Sequence, residues 1–230
     1  MNKQQRPLRP VRSYMCRSGR MTDSQQRAFQ LLLDQYGLTL ANGMLDFDAI
    51  FQRNAPRVLE IGFGMGQSLL QQAQQKPAWD FIGIEVHRPG IGALLAAVKT
   101  QQLTNLRVFH ADAIEVLECC IPDASLDVVQ LFFPDPWPKR RHHKRRLVQL
   151  DFVERIRAKL KIGGLFCLAT DWQNYANHML QVLSAAPGFN NSAGDQQFAP
   201  RYTERPLTKF ELRGHRLGYK VWDLVFVNRE

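Results

Sequence analysis

From Arg57 onward the chain alternates short apolar runs with amphipathic ones, and that alternation constrains the fold more than any other feature. RVLEIG (57–62), DFIGIE (80–85), LRVFH (106–110), LDVVQLFF (126–133) and GLFCLAT (164–170) read as buried strands. Between them, residues 66–75, 89–101, a short stretch after Asp112, 144–160 and 172–185 read as helices. Pro89 suits the first turn of its helix, where a missing N–H loses no bond. Apolar strands separated by helices imply an α/β fold with a parallel sheet covered on both faces. In such sheets ligands bind beyond the carboxyl ends of the strands. The end of the chain breaks the pattern. Residues 187–207 read as loop, and KVWDLVFV (220–227) is a terminal strand with no room for another crossover helix, so antiparallel pairing is expected.

Upstream, residues 1–21 are polar, basic and broken by Pro7 and Pro10, which predicts a flexible arm ahead of a single domain over 22–230. Thr22 and Gln25 have capping-box spacing and open a predicted helix that runs to about Tyr36. Residues 37–56 read as a loop-rich connector. A chain of 230 residues that is 45% hydrophobic can bury a core of its own. No apolar run approaches the roughly 20 residues of a membrane span, and no apolar core follows the basic start as a secretory signal requires. Cys16, Cys119, Cys120 and Cys167 form no C-x-x-C. A metal site is therefore not expected, and a reduced, cytoplasmic compartment is.

The charge is unevenly placed. Lys3, Arg6, Arg9, Arg12, Arg17 and Arg20 fall in the first 20 residues with no acid among them. KRRHHKRR (139–146) supplies Lys139, Arg140, Arg141, Lys144, Arg145 and Arg146. Removing those twelve charges from the net +9 leaves −3 for the rest. A mildly acidic body with two cationic blocks points to a polyanionic partner. Neither block has the apolar face that a bilayer would take up, so nucleic acid is favoured over membrane. Cations at the start of the helix predicted from 144 oppose its dipole, which favours phosphate contacts over a purely structural role.

The chemistry gathers at the strand ends. Glu60-Ile-Gly62-Phe-Gly64-Met-Gly66 follows the first strand directly, with spacing E-x-G-x-G-x-G. The dinucleotide fingerprint needs glycine where this chain has Gln67, so a nucleoside with a short charged tail fits the turn better than a pyrophosphate. Glu85 ends the second strand, where a carboxylate can accept from both ribose hydroxyls. Asp112 follows the third strand and can meet an adenine amine or simply cap the next helix. The fourth strand runs into Phe132-Phe133-Pro134-Asp135-Pro136-Trp137-Pro138-Lys139, where three prolines predict a rigid, extended mouth carrying Asp135 and Trp137 beside the basic run. Asp171 closes the fifth strand.

EIGFGMG, IGIEVH, FFPDPWPKRRHHKRR and Thr208-Lys209-Phe210-Glu211 together resemble the bacterial tRNA (guanine-N7-)-methyltransferase family over about residues 20–230. The DPWPK and TKFE segments carry most of the specificity; the glycine motif marks only class I methyltransferases in general. The resemblance implies a seven-stranded, mostly parallel, Rossmann-like class I methyltransferase sheet with its last strand antiparallel. It implies S-adenosylmethionine as cofactor and tRNA as partner, with the guanine at position 46 of the variable loop as target. It implies cofactor contacts at Glu60, Glu85, Asp112 and Asp135, with Gly62, Gly64 and Gly66 forming the turn. Substrate contacts are implied at Lys139, Asp171, Thr208, Lys209, Phe210 and Glu211. RNA contacts are implied at Arg141, His142, His143, Lys144, Arg145 and Arg146. Whether such a chain acts as a monomer or a homodimer is left open.

Guanine N7 has an in-plane lone pair and no proton, so its methylation needs placement rather than a general base. The product ring is cationic, and Asp135 is the candidate to stabilise that charge and orient the base, or else to hold the cofactor's amine. Asp171 and Glu211 can read the guanine N1 and N2 donors, Asp171 alternatively capping its helix. Lys139 suits a phosphate or a base carbonyl. Trp137 suits a stacked base or the pocket wall. His142 and His143 have no acid or cysteine at ligand spacing. Three other readings remain: an exocyclic-amine methyltransferase, whose motif D-P-W matches only in part; a nucleotide-dependent dehydrogenase, disfavoured by Gln67; and a non-catalytic RNA-binding module, disfavoured by the intact acids.

Overall fold

The computed structural model describes Tyr14 and residues 19–207, 211–212 and 218–230. Helix α1 (Asp23–Tyr36) opens on the expected capping box: Gln25 N donates to Thr22 Oγ1 at 3.3 Å, and Thr22 N to Gln25 Oε1 at 2.9 Å. The alternating core follows as β2 (Arg57–Ile61), α3 (Gln67–Gln75), β3 (Asp80–Glu85), α4 (Arg88–Thr100), β4 (Leu106–His110), α5 (Ala113–Cys119), β5 (Leu126–Phe132), α6 (Leu150–Lys159), β6 (Leu160–Thr170) and α7 (Gln173–Ala185). The chain ends in β7 (Phe189–Asn191) and β8 (Trp222–Asn228).

The sheet order is β1-β4-β3-β2-β5-β6-β8-β7, where β1 is the two-residue Gly37–Leu38. Pairing is parallel from β1 to β6, and β8 joins antiparallel to both β6 and β7. Among the described residues the sheet has eight strands, one more than the expected seven, because β1 pairs at the far edge of β4. Residues 37–56 are also more ordered than a plain connector, since they include α2 (Phe47–Phe51) capped by Asp46. β7 lies inside the stretch read as loop. Segments of two or three residues carry no periodicity for a sequence to display.

Helices α1, α3 and α4 cover one face through Phe29, Leu69, Ala73, Ile91, Leu94 and Val98. Helices α5, α6 and α7 cover the other through Val116, Phe152, Val153, Ile156, Tyr175 and Met179. Val58 faces the first layer, while Leu59 and Ile61 face the second, as the two-residue pleat requires. Burying one strand on both faces is why RVLEI is continuously apolar apart from its first residue and Glu60.

The basic run is a correction. Arg140–Arg145 forms a 3-10 stretch, and α6 begins at Leu150 with Asp151 in its first turn. The expected conflict between cations and a helix dipole is therefore absent. Helix begins where apolar spacing does, at Phe152, Val153 and Ile156, while like charges four apart disfavour it earlier. Met21, assigned to the arm, packs against the α1–α4 face. Among the described residues no helix is long and apolar enough to cross a membrane.

Candidate active site

The strand order reverses between β2 and β5, and the glycine turn leaves β2 at that switch point. Gly62 and Gly64 hold φ of 73° and 59°, and a Cβ on either would meet no atom of the described residues within 4 Å. Their Cα atoms thus border open space, a cradle that side chains would fill. Gly66 differs, since a Cβ there would lie 2.8 Å from the Cβ of Leu94. Its lack of a Cβ makes room for the packing of α3 on α4.

Two carboxylates stand behind this cradle. Glu85 Oε2 accepts from Gly64 N at 2.8 Å, and its Oε1 accepts from Val86 N at 2.6 Å and His87 N at 2.9 Å. Glu85 therefore shapes the turn while ending β3. Glu60 is 3% exposed, and among the described residues its Oε2 has no hydrogen-bond partner. Burial, and secondarily the nearby Glu85, pushes its pKa up to about 8. A buried carboxylate oxygen lacking a donor suits a ligand that brings its own donor or positive charge.

Beyond β4, Asp112 is half-buried and caps α5, accepting from Ile114 N at 2.8 Å through Oδ1. Beyond β5, Phe133 and Trp137 take left-handed φ of 52° and 45° on either side of half-buried Asp135. Both precede prolines, so the conformation is doubly disfavoured and the mouth is not the extended segment expected. The surroundings enforce it. Phe133 N donates to Ala169 O at 2.8 Å, and Trp137, 8% exposed, lies under the Arg145 guanidinium at 5.0 Å and edge-on to His142 at 5.9 Å. Strain of this kind persists where structure over-determines it, commonly at functional sites. Desolvation and the charges of Arg145, Arg141 and Lys139 lower the pKa of His142.

Beyond β6, Thr170 Oγ1 accepts from Trp172 N at 3.2 Å, and no side chain caps α7. Half-buried Asp171 is thus not engaged as a helix cap. Phe132 pairs with Ala169, so the segments that carry Asp135 and Asp171 leave neighbouring parallel strands at the same end of the sheet. Carboxylates gather at this end of the sheet, and Lys139, Arg140, Arg141, Lys144 and Arg145 beside them are exposed. That arrangement can hold a small cationic ligand within and a polyanion across the mouth.

Residues 54–224 match the family described as "Putative methyltransferase". The chain is 59% identical over 221 residues to the tRNA (guanine-N(7)-)-methyltransferase of Pseudomonas aeruginosa strain PAO1, covering 96% of this chain and 91% of that one. It is 57% identical over 223 residues to the protein of that name from Stutzerimonas stutzeri strain A1501, covering 97% and 94%. This chain belongs to the tRNA (guanine-N(7)-)-methyltransferase family. Its fold is also that of the 16S rRNA methyltransferase KamB, with TM-score 0.59 at 16% identity over 81% of this chain and 95% of that one. TrmN from Thermus thermophilus superposes with TM-score 0.54 at 18% identity, over 87% and 48%.

For this methyltransferase-family chain the structure brings Glu60, Gly62, Gly64, Glu85, Asp112, Asp135 and Asp171 to one end of the sheet, as expected. Lys139, Arg141, Lys144 and Arg145 are exposed beside them, with His142 and His143 half-buried. Thr208, Lys209 and Phe210 lie outside the described residues. Two expectations are corrected. Arg146 is 3% exposed and cannot present its charge to RNA. Glu211 is 2% exposed, and Arg205 Nη1 holds its Oε2 at 2.5 Å, so its carboxylate is engaged in an ion pair rather than open to a base. Arg205 and Asp223 were not singled out from the sequence. The available signal was Asp223 itself, an acid within the otherwise apolar VWDLVFV.

Proposed function

We propose that this chain transfers a methyl group from S-adenosylmethionine to N7 of guanine in tRNA, with position 46 of the variable loop as the target. The observation that carries the reading is 59% identity over 96% of the chain to a protein named for that reaction. The residues at the crevice fit the cofactor: an open glycine cradle at Gly62 and Gly64, and a buried, unpartnered oxygen on Glu60. Glu60, Glu85, Asp112 and the glycine turn would hold it. Bound there, the cofactor supplies an electrophilic methyl on a positively charged sulfur.

The chain's own task is placement. N7 needs no deprotonation, so the protein must hold the purine in line and exclude water. Asp135, on its strained loop, faces the charge that develops as the ring becomes cationic. Asp171 reads the N1–H and N2 donors of the guanine. Lys139, Arg141, Lys144 and Arg145 engage backbone phosphates and set the register of the RNA. His142 is held neutral beside three cations and supplies a hydrogen bond without adding to their charge.

Incubation with methyl-labelled S-adenosylmethionine and an unmodified tRNA transcript, followed by digestion, tests the reading. Label in 7-methylguanosine is expected, and a transcript lacking guanine at position 46 should not be labelled. Label in an N2-methylated guanosine would move the assignment to exocyclic-amine transfer. Binding of tRNA with no label would leave an RNA-binding module.

A further inference from the structure

Arg146 closes the basic run in sequence but not in space. Its guanidinium is buried, while Arg140, Arg141, Lys144 and Arg145 remain exposed. Nε donates to Pro136 O at 3.0 Å, and Nη2 donates to Asn174 Oδ1 at 2.6 Å. Its Cζ lies over the Tyr175 ring, 4.8 Å from the centroid. Tyr175 is itself fully buried, and its hydroxyl accepts from Val148 N at 3.2 Å, two residues past Arg146.

These partners belong to different parts of the mouth. Pro136 follows Asp135 directly on the loop after β5. Asn174 lies in the first turn of α7, three residues past Asp171 after β6. Each loop leaves its own strand, and backbone pairing between the strands stops at Phe132–Ala169, save the Phe133 N to Ala169 O bond. Past that point the fork of Arg146 bridges the two loops. A guanidinium is costly to bury unless its donors are matched, and its planar fork suits two acceptors set apart in this way.

We propose that Arg146 is a positioning residue for methyl transfer: it fixes the Asp135 loop against the Asp171–Asn174 turn and makes no contact with RNA. The proposal deepens the methyltransferase reading and rests on it. Misplacing a reacting pair by about 1 Å can cost on the order of 100-fold in rate. Lysine keeps the charge but presents a single ammonium, which cannot reach both acceptors.

The test compares Arg146→Lys, Asn174→Leu and Asn174→Asp with the wild-type chain. It measures single-turnover methylation, cofactor and tRNA dissociation constants at several salt concentrations, and amide hydrogen exchange. Arg146→Lys is expected to lower the single-turnover rate about 10- to 100-fold. Cofactor affinity and the salt slope of tRNA binding should stay at wild-type values. Lys144→Ala, which removes an exposed cation, should instead reduce that slope by about one. Asn174→Leu should reproduce the rate loss, Asn174→Asp should preserve the rate, and the double variant Arg146→Lys/Asn174→Leu should lose little more than either alone. Exchange should quicken together at the amides of Asp135 and Trp137 and at residues 173–176 in the slow variants. A reduced salt slope in Arg146→Lys with the rate intact would overturn the proposal in favour of a phosphate contact. A lowered melting temperature with unchanged rate would reduce Arg146 to a structural role. An inactive wild type would instead overturn the function reading, while the exchange data would still decide whether Arg146 joins the two loops.

Discussion

Arg205 grips Asp223 with two parallel hydrogen bonds, from Nε to Oδ1 at 3.2 Å and from Nη2 to Oδ2 at 3.1 Å. Its remaining arm holds Glu211, and its Cζ lies 5.7 Å and 5.4 Å from the centroids of Phe132 and Phe133. One fully buried cation thus ties Glu211 to β8 and to the root of the Asp135 loop. Burial pushes the Asp223 carboxyl up, and Arg205 opposes that push.

Asp223→Ala leaves Arg205 buried with half of its partners gone. The expected loss is about 3–5 kcal/mol of unfolding free energy, the usual result of stranding a buried charge. Urea denaturation measures it, and a loss under about 1 kcal/mol would show that the cluster is solvated.

Glu60 makes stability depend on pH. The folded carboxyl keeps its proton to about 8, whereas its ordinary value is 4.5. Between those values the folded state binds more protons, so stability falls as pH rises from about 4.5 to about 8 and levels off above. Glu60→Gln should remove that downward contribution and weaken cofactor binding. Denaturation curves at pH 5.5 and 8.5 decide it, since equal pH slopes in both proteins would remove Glu60 as the source.

Gly64→Ala and Gly66→Ala should separate ligand space from packing. At Gly64 the added methyl enters the open cradle and strains a φ of 59°, so cofactor affinity should fall more than stability. At Gly66 it strikes Leu94, and about 1–3 kcal/mol of stability should be lost. Calorimetric titration beside thermal melting reads both; the opposite ranking would reverse the two roles.

Asp135→Asn retains shape and hydrogen bonding but removes the charge. A fall in kcat on the order of 100-fold, with cofactor dissociation nearly unchanged, is expected if the carboxylate stabilises the cationic ring. A matching loss of cofactor affinity instead would assign Asp135 to the cofactor's amine.

Joint replacement of Arg141 and Lys144 by alanine should raise the tRNA KM and flatten its salt dependence by about two. Cofactor affinity, measured without tRNA, should be unaffected. A change there would mean that these exposed side chains support the crevice instead of the RNA.

The frame of the site was legible because it is local. Largely apolar stretches of five or more residues announced β2 to β6 and β8, and the acids in or just after them, Glu60, Glu85, Asp112, Asp135 and Asp171, could be placed by counting along the stretch. The basic run misled where counting was the only guide. Six cations in eight residues look alike on paper, yet Lys139 to Arg145 stay outside and Arg146 turns inward. The proline loop misled for a similar reason, since left-handed Phe133 and Trp137 are imposed by Ala169, His142 and Arg145 rather than by their own preferences.

By itself, the sequence determined a wound α/β sheet, the end of it that binds ligands, and the acids that stand there. Strand periodicity and the constant hand of β-α-β crossovers leave little else possible. Only tertiary structure decided which like-charged residues meet solvent and which become internal ties. Arg146 and Arg205 look no different from their neighbours in the chain. Their roles are set by acceptors 10 to 28 residues away for Arg146 and 18 residues away for the Arg205–Asp223 pair. Burying a charge is favourable only where folding has already assembled those acceptors, and no local pattern can record that.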